Sequence, residues 1–538
     1  ELLAAAPALT LLATSRQPLR LYGEQLYRVQ PLDPATAATL FLERARAAGV
    51  ELERDEPTRA TIAEICRRLD RLPLAIELAA ARTALLSPDA LLPRLDASLE
   101  LLTDGPVDHP ERQQTLRRTL AWSYDALTRE DQRLFARLAV FAGGWSVEAA
   151  DAVCGAGLDV VGGLSSLLDK SLLQSLTSDG EPRQGMLETI REYAGELLTE
   201  APEAEELRRR HVDYFLAFAD SAEPSLRGSP GPWLERLELD HDNLRSALDR
   251  AEARGDAERT QRLAGALWRF WYLRGYLTEG RLRLERAVSA GADPTPARAK
   301  VLLGAAVMAV NTGAHELARL RAEEGRALHR ELGDAWGEAY AEFMLGHVAN
   351  DRVAARLLYE RSIRVFRELG DEHSALLATR HLAWTYAELG DAERARALQE
   401  ENLVRARATG NERMEASMLG VLAEDALREG RVDDAASLLR DSLALHSRLG
   451  DVLDAAVDLC RFAAALAAGG GAATAATLLA SFDALGDDVG ARRSSVADLN
   501  RQTLARIHAV LDDAAFSAAW ARGLTLTLYE AVATALEA

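Results

Sequence analysis

The sequence has almost no lysine. Of its 63 basic residues, only Lys170 and Lys300 are lysines, and the rest are arginines. A phosphate-binding P-loop needs a lysine directly after a glycine, so that backbone amides hold the phosphates while the ammonium reaches the β/γ oxygens. Lys170 follows Asp169, and Lys300 follows Ala299. The sequence therefore contains no Walker A motif, and nucleotide hydrolysis by this chain alone is not expected.

Cysteine is scarce as well. Cys66, Cys154 and Cys460 lie far apart and form no CxxC pair, which favours a reducing compartment and three small buried side chains. The ten histidines form no HExxH motif, and no GxSxG elbow is present. These absences argue against a metalloprotease or a serine hydrolase, so we expect no metal site and no catalytic residue.

Long hydrophobic runs and basic clusters are also missing. No basic segment precedes an apolar run at the start, so we expect no signal peptide. The uncharged stretch Phe462–Phe482 is rich in alanine and contains Gly469–Gly471, which predicts two helices around a turn instead of a membrane span. A formal net charge of −20 argues against non-specific binding to nucleic acid or anionic lipid. We expect a cytoplasmic protein without membrane contact.

Repetition is the strongest pattern that the sequence does contain. Glycines recur at positions 313, 333, 370, 390, 410, 430 and 450, mostly 20 residues apart. Each step predicts a helix of about four turns that ends at a glycine. Ala318, Ala395 and Ala435 each lie five residues after such a glycine, where a small side chain lets paired helices approach. The pattern predicts a tetratricopeptide-like solenoid with a concave binding face.

The beginning of the sequence reads differently. The apolar run Ala8–Ala13 predicts a buried strand, and the polar residues Thr14, Ser15 and Arg16 follow at its carboxyl end, where α/β sheets bind ligands. Since one strand alone is not stable, we expect the rest of its sheet upstream of residue 1. Asp33 and Pro34 then predict the start of a helix.

A change of period between about residues 164 and 198 predicts a winged helix. A helix leads to the apolar run Leu172–Leu176, the turn Ser178–Gly180, a second run at Gln184–Leu187 and a helix from Glu188.

Several segments together resemble the NB-ARC-like STAND ATPases of large bacterial regulators. They are Leu12–Leu19 (sensor-1 strand), Cys66–Ala79 (GLPLA segment), Trp122–Tyr124 and Met186–Tyr193 (winged-helix signatures), and Trp233–Glu235 with His241–Arg245 (the lead into the repeats). The resemblance implies that Thr14, Ser15, Arg16 and Pro73 bind nucleotide. Arg16 would sense the γ-phosphate, and Pro73 would lie against the adenine.

Two departures from that family stand in the same segments. Met186-Leu187-Glu188 lies where related switch ATPases carry Met-His-Asp, so a direct nucleotide contact from position 187 is not carried over. Arg71 replaces the usual glycine before Leu-Pro-Leu, and we expect the local turn to differ. By the resemblance, ATP or ADP with Mg²⁺ would bind the intact parent, and none would bind this chain tightly.

The predicted architecture is mainly α. Its domains are the end of a nucleotide-binding α/β domain (1–50), a helical domain with the GLPLA-like segment (51–108), a winged helix (109–200), a helical lead-in (201–292), tetratricopeptide-like repeats (293–472) and a helical cap (473–538).

Two hypotheses about function follow. The first is part of a STAND signal-transduction ATPase, commonly a LuxR- or SARP-type transcriptional regulator. A protein or small-molecule inducer would bind the concave face of the solenoid, DNA would bind only through an output domain outside this chain, and a nucleotide-dependent oligomer is left open. The second is a non-catalytic interaction scaffold with a decayed nucleotide-binding region.

Overall fold

The computed structural model describes residues 24–25, 27, 29–52, 55–97, 116–178, 181–227, 232–485 and 496–538. Contacts divide the chain into two compact units, Glu1–Phe215 with Asp240–Ala247, and Leu216–Leu239 with Leu248–Ala538. The described residues are mostly helical, with one three-stranded sheet. The predicted fold class, mainly α with a winged helix and a helical solenoid, is confirmed. The predicted strand at Ala8–Ala13 lies outside the described residues.

Short helices begin the first unit. They are α1 (Pro34–Ala47), α2 (Glu56–Arg68), α3 (Pro73–Ala81) and α4 (Pro88–Leu91), with 3-10 turns at Arg82–Ala84 and Leu92–Ala97. Asp33 caps α1 as its sequence predicts, because its carboxylate accepts hydrogen bonds from the amides of Ala35 and Thr36. Helix α1 packs on α2 and α3, with Phe41 fully buried between them.

The winged helix follows in the same unit. Its elements are α5 (Leu116–Asp125), α6 (Arg129–Leu138), β1 (Gly144–Ser146), α7 (Val147–Cys154), α8 (Val160–Asp169), β2 (Gln174–Ser178), β3 (Glu181–Gly185) and α9 (Glu188–Glu200). Strand β3 is central and pairs antiparallel with β1 and β2. The run predicted at Gln184–Leu187 was placed too late, because Met186 and Leu187 leave the sheet to begin α9.

A buried ion pair holds the sheet to the next segment of the first unit. The guanidinium of Arg183 on β3 donates to both carboxylate oxygens of Asp240, at 2.7 and 3.1 Å, and to the carbonyl of Gly144 at 2.8 Å. Asn243 accepts from the amide of Ala142 and donates to the same carbonyl, each at 2.8 Å. Since Arg183 is only 5% exposed, removing either charge would leave the other buried and unpaired.

The second unit is built largely from helix pairs. Between the sheet and the repeats lie α10 (Ala204–Ala222), a 3-10 turn (Glu223–Arg227), α11 (Pro232–Leu239) and α12 (His241–Ala253). The repeat helices are α13 (Ala257–Arg274), α14 (Leu277–Ala290), α15 (Pro296–Asn311), α16 (His315–Glu331), α17 (Ala335–His347), α18 (Arg352–Glu368), α19 (Glu372–Glu388), α20 (Ala392–Ala408), α21 (Glu412–Arg428), α22 (Val432–Leu449), α23 (Val452–Ala468) and α24 (Ala472–Ala484).

The repeated Leu-Gly-Asp phrase both ends one helix and begins the next. All seven glycines of the 20-residue series have positive φ, which L side chains adopt at a cost. The aspartates that follow cap the next helix with their carboxylates at positions 334, 371, 391 and 451. The small residues Ala318, Ala395 and Ala435 are all buried, so the predicted packing register is confirmed.

Three helices end the chain. They are α25 (Ala497–His508), α26 (Asp513–Leu524) and α27 (Leu528–Glu537), and they pack on α22, α23 and α24. Thr527 and Glu530 form a capping box at the start of α27. The stretch Phe462–Phe482 is the end of α23, a glycine turn and most of α24. Among the described residues, no helix is long and apolar enough to cross a membrane.

Helix packing in the solenoid yields a stability prediction at Gly346. A Cβ there would lie 2.6 Å from Cε1 of Tyr359, a ring that is 1% exposed and therefore cannot retreat. We expect Gly346→Ala to lower the free energy of unfolding by about 1–2 kcal/mol, since overpacking outweighs the gain in helix propensity. Thermal and urea unfolding measure this change.

The matched control is Gly325→Ala. Its Cβ would meet its nearest neighbour, Leu302 Cβ, at an ordinary 3.5 Å, so the substitution should be neutral or stabilising. Equal effects of the two substitutions would contradict the tight contact at Gly346.

Candidate functional sites: the turn after α2 and the inner face of the solenoid

The GLPLA-like segment makes an unusual turn. Asp70 and Arg71, between α2 and α3, both have φ of +54°, in the left-handed region. Glycine adopts this conformation freely, whereas other residues hold it at a cost of about 1 kcal/mol or more. Arg71 thus takes a conformation that a glycine would adopt freely, and the expectation that its turn differs from the glycine form stays a prediction. Pro73 begins α3 and is exposed.

Asp70 joins this turn to the start of α9. Its carboxylate accepts hydrogen bonds from the amides of Glu188 and Thr189, each at 3.0 Å, and from the Thr189 hydroxyl at 3.1 Å. Leu187, the N-cap residue of α9, supplies no side-chain cap of its own. Asp70 therefore caps a helix that begins 118 residues later, and it brings together two segments that the sequence singled out separately.

Burial and the charge of Glu188 oppose the hydrogen bonds in setting the ionisation of the Asp70 cap. Glu188 accepts a hydrogen bond from Arg191 at 2.9 Å, which raises the pKa of Arg191, and Asp70 adds to that effect. Burial raises the pKa of Asp70, while the hydrogen bonds from Thr189 and Glu188 oppose that rise. The positive end of the α9 dipole also stabilises a carboxylate at this position.

The turn does not by itself form a phosphate site. Leu187 has no donor to offer a phosphate, and the Asp70 carboxylate would repel one. Pro73 is exposed beside this turn, and the described residues around the turn supply no P-loop lysine. Thr14, Ser15 and Arg16 lie outside the described residues, so their predicted roles stay predictions, as does that of Pro73.

The winged helix is poorly suited to reading DNA through α8, the helix that precedes β2 and β3. In DNA-binding relatives of this motif such a helix enters the major groove with Arg, Lys, Asn or Gln side chains. Helix α8 contains none of these and exposes Val161 and Ser165. Lys170, which follows it, donates to Asp131 at 3.2 Å and also contacts Ser166.

In the second unit, the first helices of successive pairs form an inner row. Helix α13 contacts α15, α15 contacts α17, α19 contacts α21, and α21 contacts α23. Trp336 joins α17 to α19, because its indole donates to Asp371 at 2.6 Å. Helix α23 also packs directly against α13. The row therefore closes on itself, and the region between its inner faces is the interior of the solenoid.

The interior carries aromatic and charged side chains at a fixed register. The position three residues after a turn glycine holds Trp336, His373, Arg413 and Leu453 in successive repeats. Trp336 stacks on Tyr340 with ring centroids 5.0 Å apart, and the guanidinium of Arg269 lies 6.0 Å from the Tyr340 ring. These contacts bring α13 and α17 to the same part of the interior.

The pKa of His373 is lowered by its surroundings in this interior. Burial, followed by the positive charges of Arg269 and Arg413, lowers the pKa of His373 to about 4. Asp371 and a hydrogen bond with Asn411 oppose the shift. His373 is consequently neutral at pH 7 although guanidinium groups surround it. The sequence analysis singled out none of Asp70, His373 and Arg413, although the position three residues after a turn glycine is a signal that could have found the last two.

With this geometry in place, the chain can be compared with known proteins. A family model described as "Winged helix-turn-helix domain" matches residues 127–199. The chain carries a winged helix-turn-helix domain. This match covers α6 to α9 and leaves the solenoid outside it.

Two proteins of Mycobacterium tuberculosis are similar in sequence. The one named "Putative HTH-type transcriptional regulator Rv0890c" is 36% identical over 349 residues, which make up 62% of this chain and 39% of that protein. "Uncharacterized protein Rv0894" is 39% identical over 218 residues, 39% of this chain and 55% of that protein. The chain thus spans about two fifths of the first relative and just over half of the second.

Two solved structures are similar in their helical layout. A signal transduction ATPase with numerous domains (STAND) protein with a tetratricopeptide repeat sensor, PH0952 from Pyrococcus horikoshii, is 15% identical with a TM-score of 0.39, over 94% of this chain and 74% of that chain. A Rap protein complexed with Competence and Sporulation Factor is 12% identical with a TM-score of 0.33, over 72% and 99%. At these TM-scores neither likeness bears on function.

The Asp70 cap gives a prediction for the first unit. We expect Asp70→Ala to destabilise this unit by about 1–2 kcal/mol, because a half-buried N-cap is lost and two amides of α9 are left without an acceptor. Hydrogen exchange at the amides of Glu188 and Thr189 should accelerate accordingly.

Asp33→Ala removes an exposed cap of α1 and serves as the control. It should leave exchange at Glu188 and Thr189 unchanged. Protection at these two amides that survives Asp70→Ala would show that the cap does not hold α9.

His373 gives a prediction for pH dependence. Its pKa is about 4 in the folded chain against an ordinary 6.5, so the unfolded chain binds more protons between these values. Its contribution to stability is therefore complete above pH 6.5 and is lost as pH falls toward 4, by up to about 3 kcal/mol.

Urea unfolding of the wild type and of His373→Gln between pH 4 and 7.5 tests this. The difference between the two curves should show the loss, whereas His508→Gln, at an exposed histidine of the same unit, should follow the wild type. Parallel curves for the wild type and His373→Gln would rule out the depressed pKa.

Proposed function

We propose that this chain is the switch-and-sensor part of a STAND-type signal-transduction ATPase that regulates transcription. The observation that carries the proposal is the Asp70 cap. It ties the GLPLA-like turn to the start of α9, where related switch ATPases carry Met-His-Asp. A contact that spans 118 residues between two nucleotide-proximal segments is what a domain-closing switch requires.

The contact between Asp70 and α9 can be made or broken, which gives this part of the first unit two arrangements. With Asp70 on α9, the winged helix is held against α2 and α3; without it, α9 loses its N-cap. A nucleotide can shift such an equilibrium only by binding one arrangement better than the other. Moving it from mostly closed to mostly open needs a difference of about 5.5 kcal/mol in binding, which a nucleotide and an inducer would supply together.

The solenoid would supply the inducer site. Its closed inner row presents aromatic and basic side chains that are partly exposed to a confined space, which suits capture of a protein segment or a small molecule. The similarity to the relative named as a transcriptional regulator supports the regulatory role. In this proposal DNA is bound by an output domain, because α8 lacks base-reading side chains.

The complete gene product provides the test. We expect it to purify with bound ADP and to exchange it slowly. Asp70→Ala should speed ADP release several-fold, and Arg16→Ala should weaken discrimination between ATP and ADP. Stopped-flow release of a fluorescent ADP analogue and equilibrium binding measure the two effects.

Asp33→Ala is again the control and should leave ADP release unchanged. A complete protein that binds neither ATP nor ADP would refute the switch and favour the alternative, an interaction scaffold with a decayed nucleotide-binding region. DNA binding to this chain with sequence preference would instead assign the output to the winged helix itself.

A further inference from the structure

The guanidinium of Arg413, beside the interior of the solenoid, has one edge without a hydrogen-bond partner. Its Nε and Nη2 atoms are buried, and neither has a hydrogen-bond partner among the described residues. The remaining nitrogen, Nη1, lies 3.4 Å from the Asp451 carboxylate. The side chain is only 14% exposed, so bulk water does not replace the missing partners freely. Buried donors without acceptors are costly, which points to a ligand that completes them.

We propose that the interior of the closed inner row binds an anionic group, a carboxylate or a phosphate, on the Nε and Nη2 edge of Arg413. This inference rests on the proposed sensing role of the solenoid. Nε and Nη2 are parallel donors that match two oxygens of one carboxylate or phosphate. A single neutral acceptor would not satisfy both donors as well as a carboxylate or a phosphate would.

The neighbouring groups favour an anion at this edge. Arg269 on α13 and Arg413 on α21 both act on His373, which places two positive charges near one point of the interior. Arg380, one repeat earlier, donates to Ser417 and lies 3.7 Å from Asp454. Arg380 and Arg413 pair with Asp454 and Asp451, so the positive charge that remains without a counter-ion lies at the unpaired edge of Arg413.

The acidic groups nearby are already engaged. Asp371 accepts from the Trp336 indole at 2.6 Å and from the amide and hydroxyl of Ser374 at 3.0 and 2.7 Å. Asp451 is buried and caps α23; although burial acts to raise its pKa, Arg413 and His446 hold that pKa well below its usual range. Asp451 thus neutralises the Nη1 side of Arg413 and leaves the opposite edge for a ligand.

Anion-dependent unfolding of the full chain tests the site. Sodium phosphate and sodium acetate are titrated separately against sodium chloride at matched ionic strength and pH. We expect at least one of the two anions to raise the unfolding temperature of the wild type by roughly 1–2 °C at tenfold excess over its dissociation constant. The arm that responds identifies the anion as a phosphate or a carboxylate.

Arg413→Gln should abolish the shift, and Arg413→Lys should lose most of it, since lysine keeps the charge but not the paired donors. The matched control is Arg448→Gln, at an exposed arginine paired with Glu412 at 3.0 Å, which should keep the full shift. Circular dichroism verifies folding, and Arg413→Lys carries the test if Arg413→Gln does not fold.

A wild type that responds equally to phosphate, acetate and chloride would overturn the proposal, and so would a shift that survives in Arg413→Lys at full size. Neither result affects the nucleotide switch, because ADP release from the complete protein is measured independently of the solenoid interior.

Discussion

The left-handed turn at the end of most solenoid helices is the constraint on which the second unit depends. A glycine with positive φ stops one helix, and another helix begins within two positions. Because most of these turns are 20 residues apart, successive helices fold back beside their predecessors with the same face inward. The small residues then meet in phase, and the inner row of helices carries its side chains at one repeating register. The interior chemistry is thus a consequence of turn geometry.

Features encoded within a few residues could be predicted from the sequence. Asp33 before Pro34, Thr527 before Glu530 and the glycines of the repeats each act on backbone groups no more than four positions away. Their geometry is local, so the residue type and spacing already contain it. The three-residue strand β1 escaped prediction because it is too short to show an alternating pattern, and its existence depends on pairing with β3.

The candidate sites depended on contacts that sequence patterns do not contain. Asp70 caps α9 although the helix begins 118 positions later, and nothing near either segment indicates the partner. The family resemblance pointed to both segments separately, through Pro73 and Met186–Glu188, but not to the bond between them. Arg413 could have been found from its register after Gly410. Its importance depends on the closure of the inner row, which is a tertiary property.

Closure of that row changes how the solenoid resists unfolding. In an open repeat array each pair touches only its neighbours, so the ends fray and stability grows almost linearly with repeat number. Here α13 contacts both α15 and α23, and the array has no free inner end at that helix. Fraying of α13 would break two interfaces at once, so the repeats are coupled into one cooperative unit. A ligand bound anywhere along the inner face would then stabilise the ring as a whole.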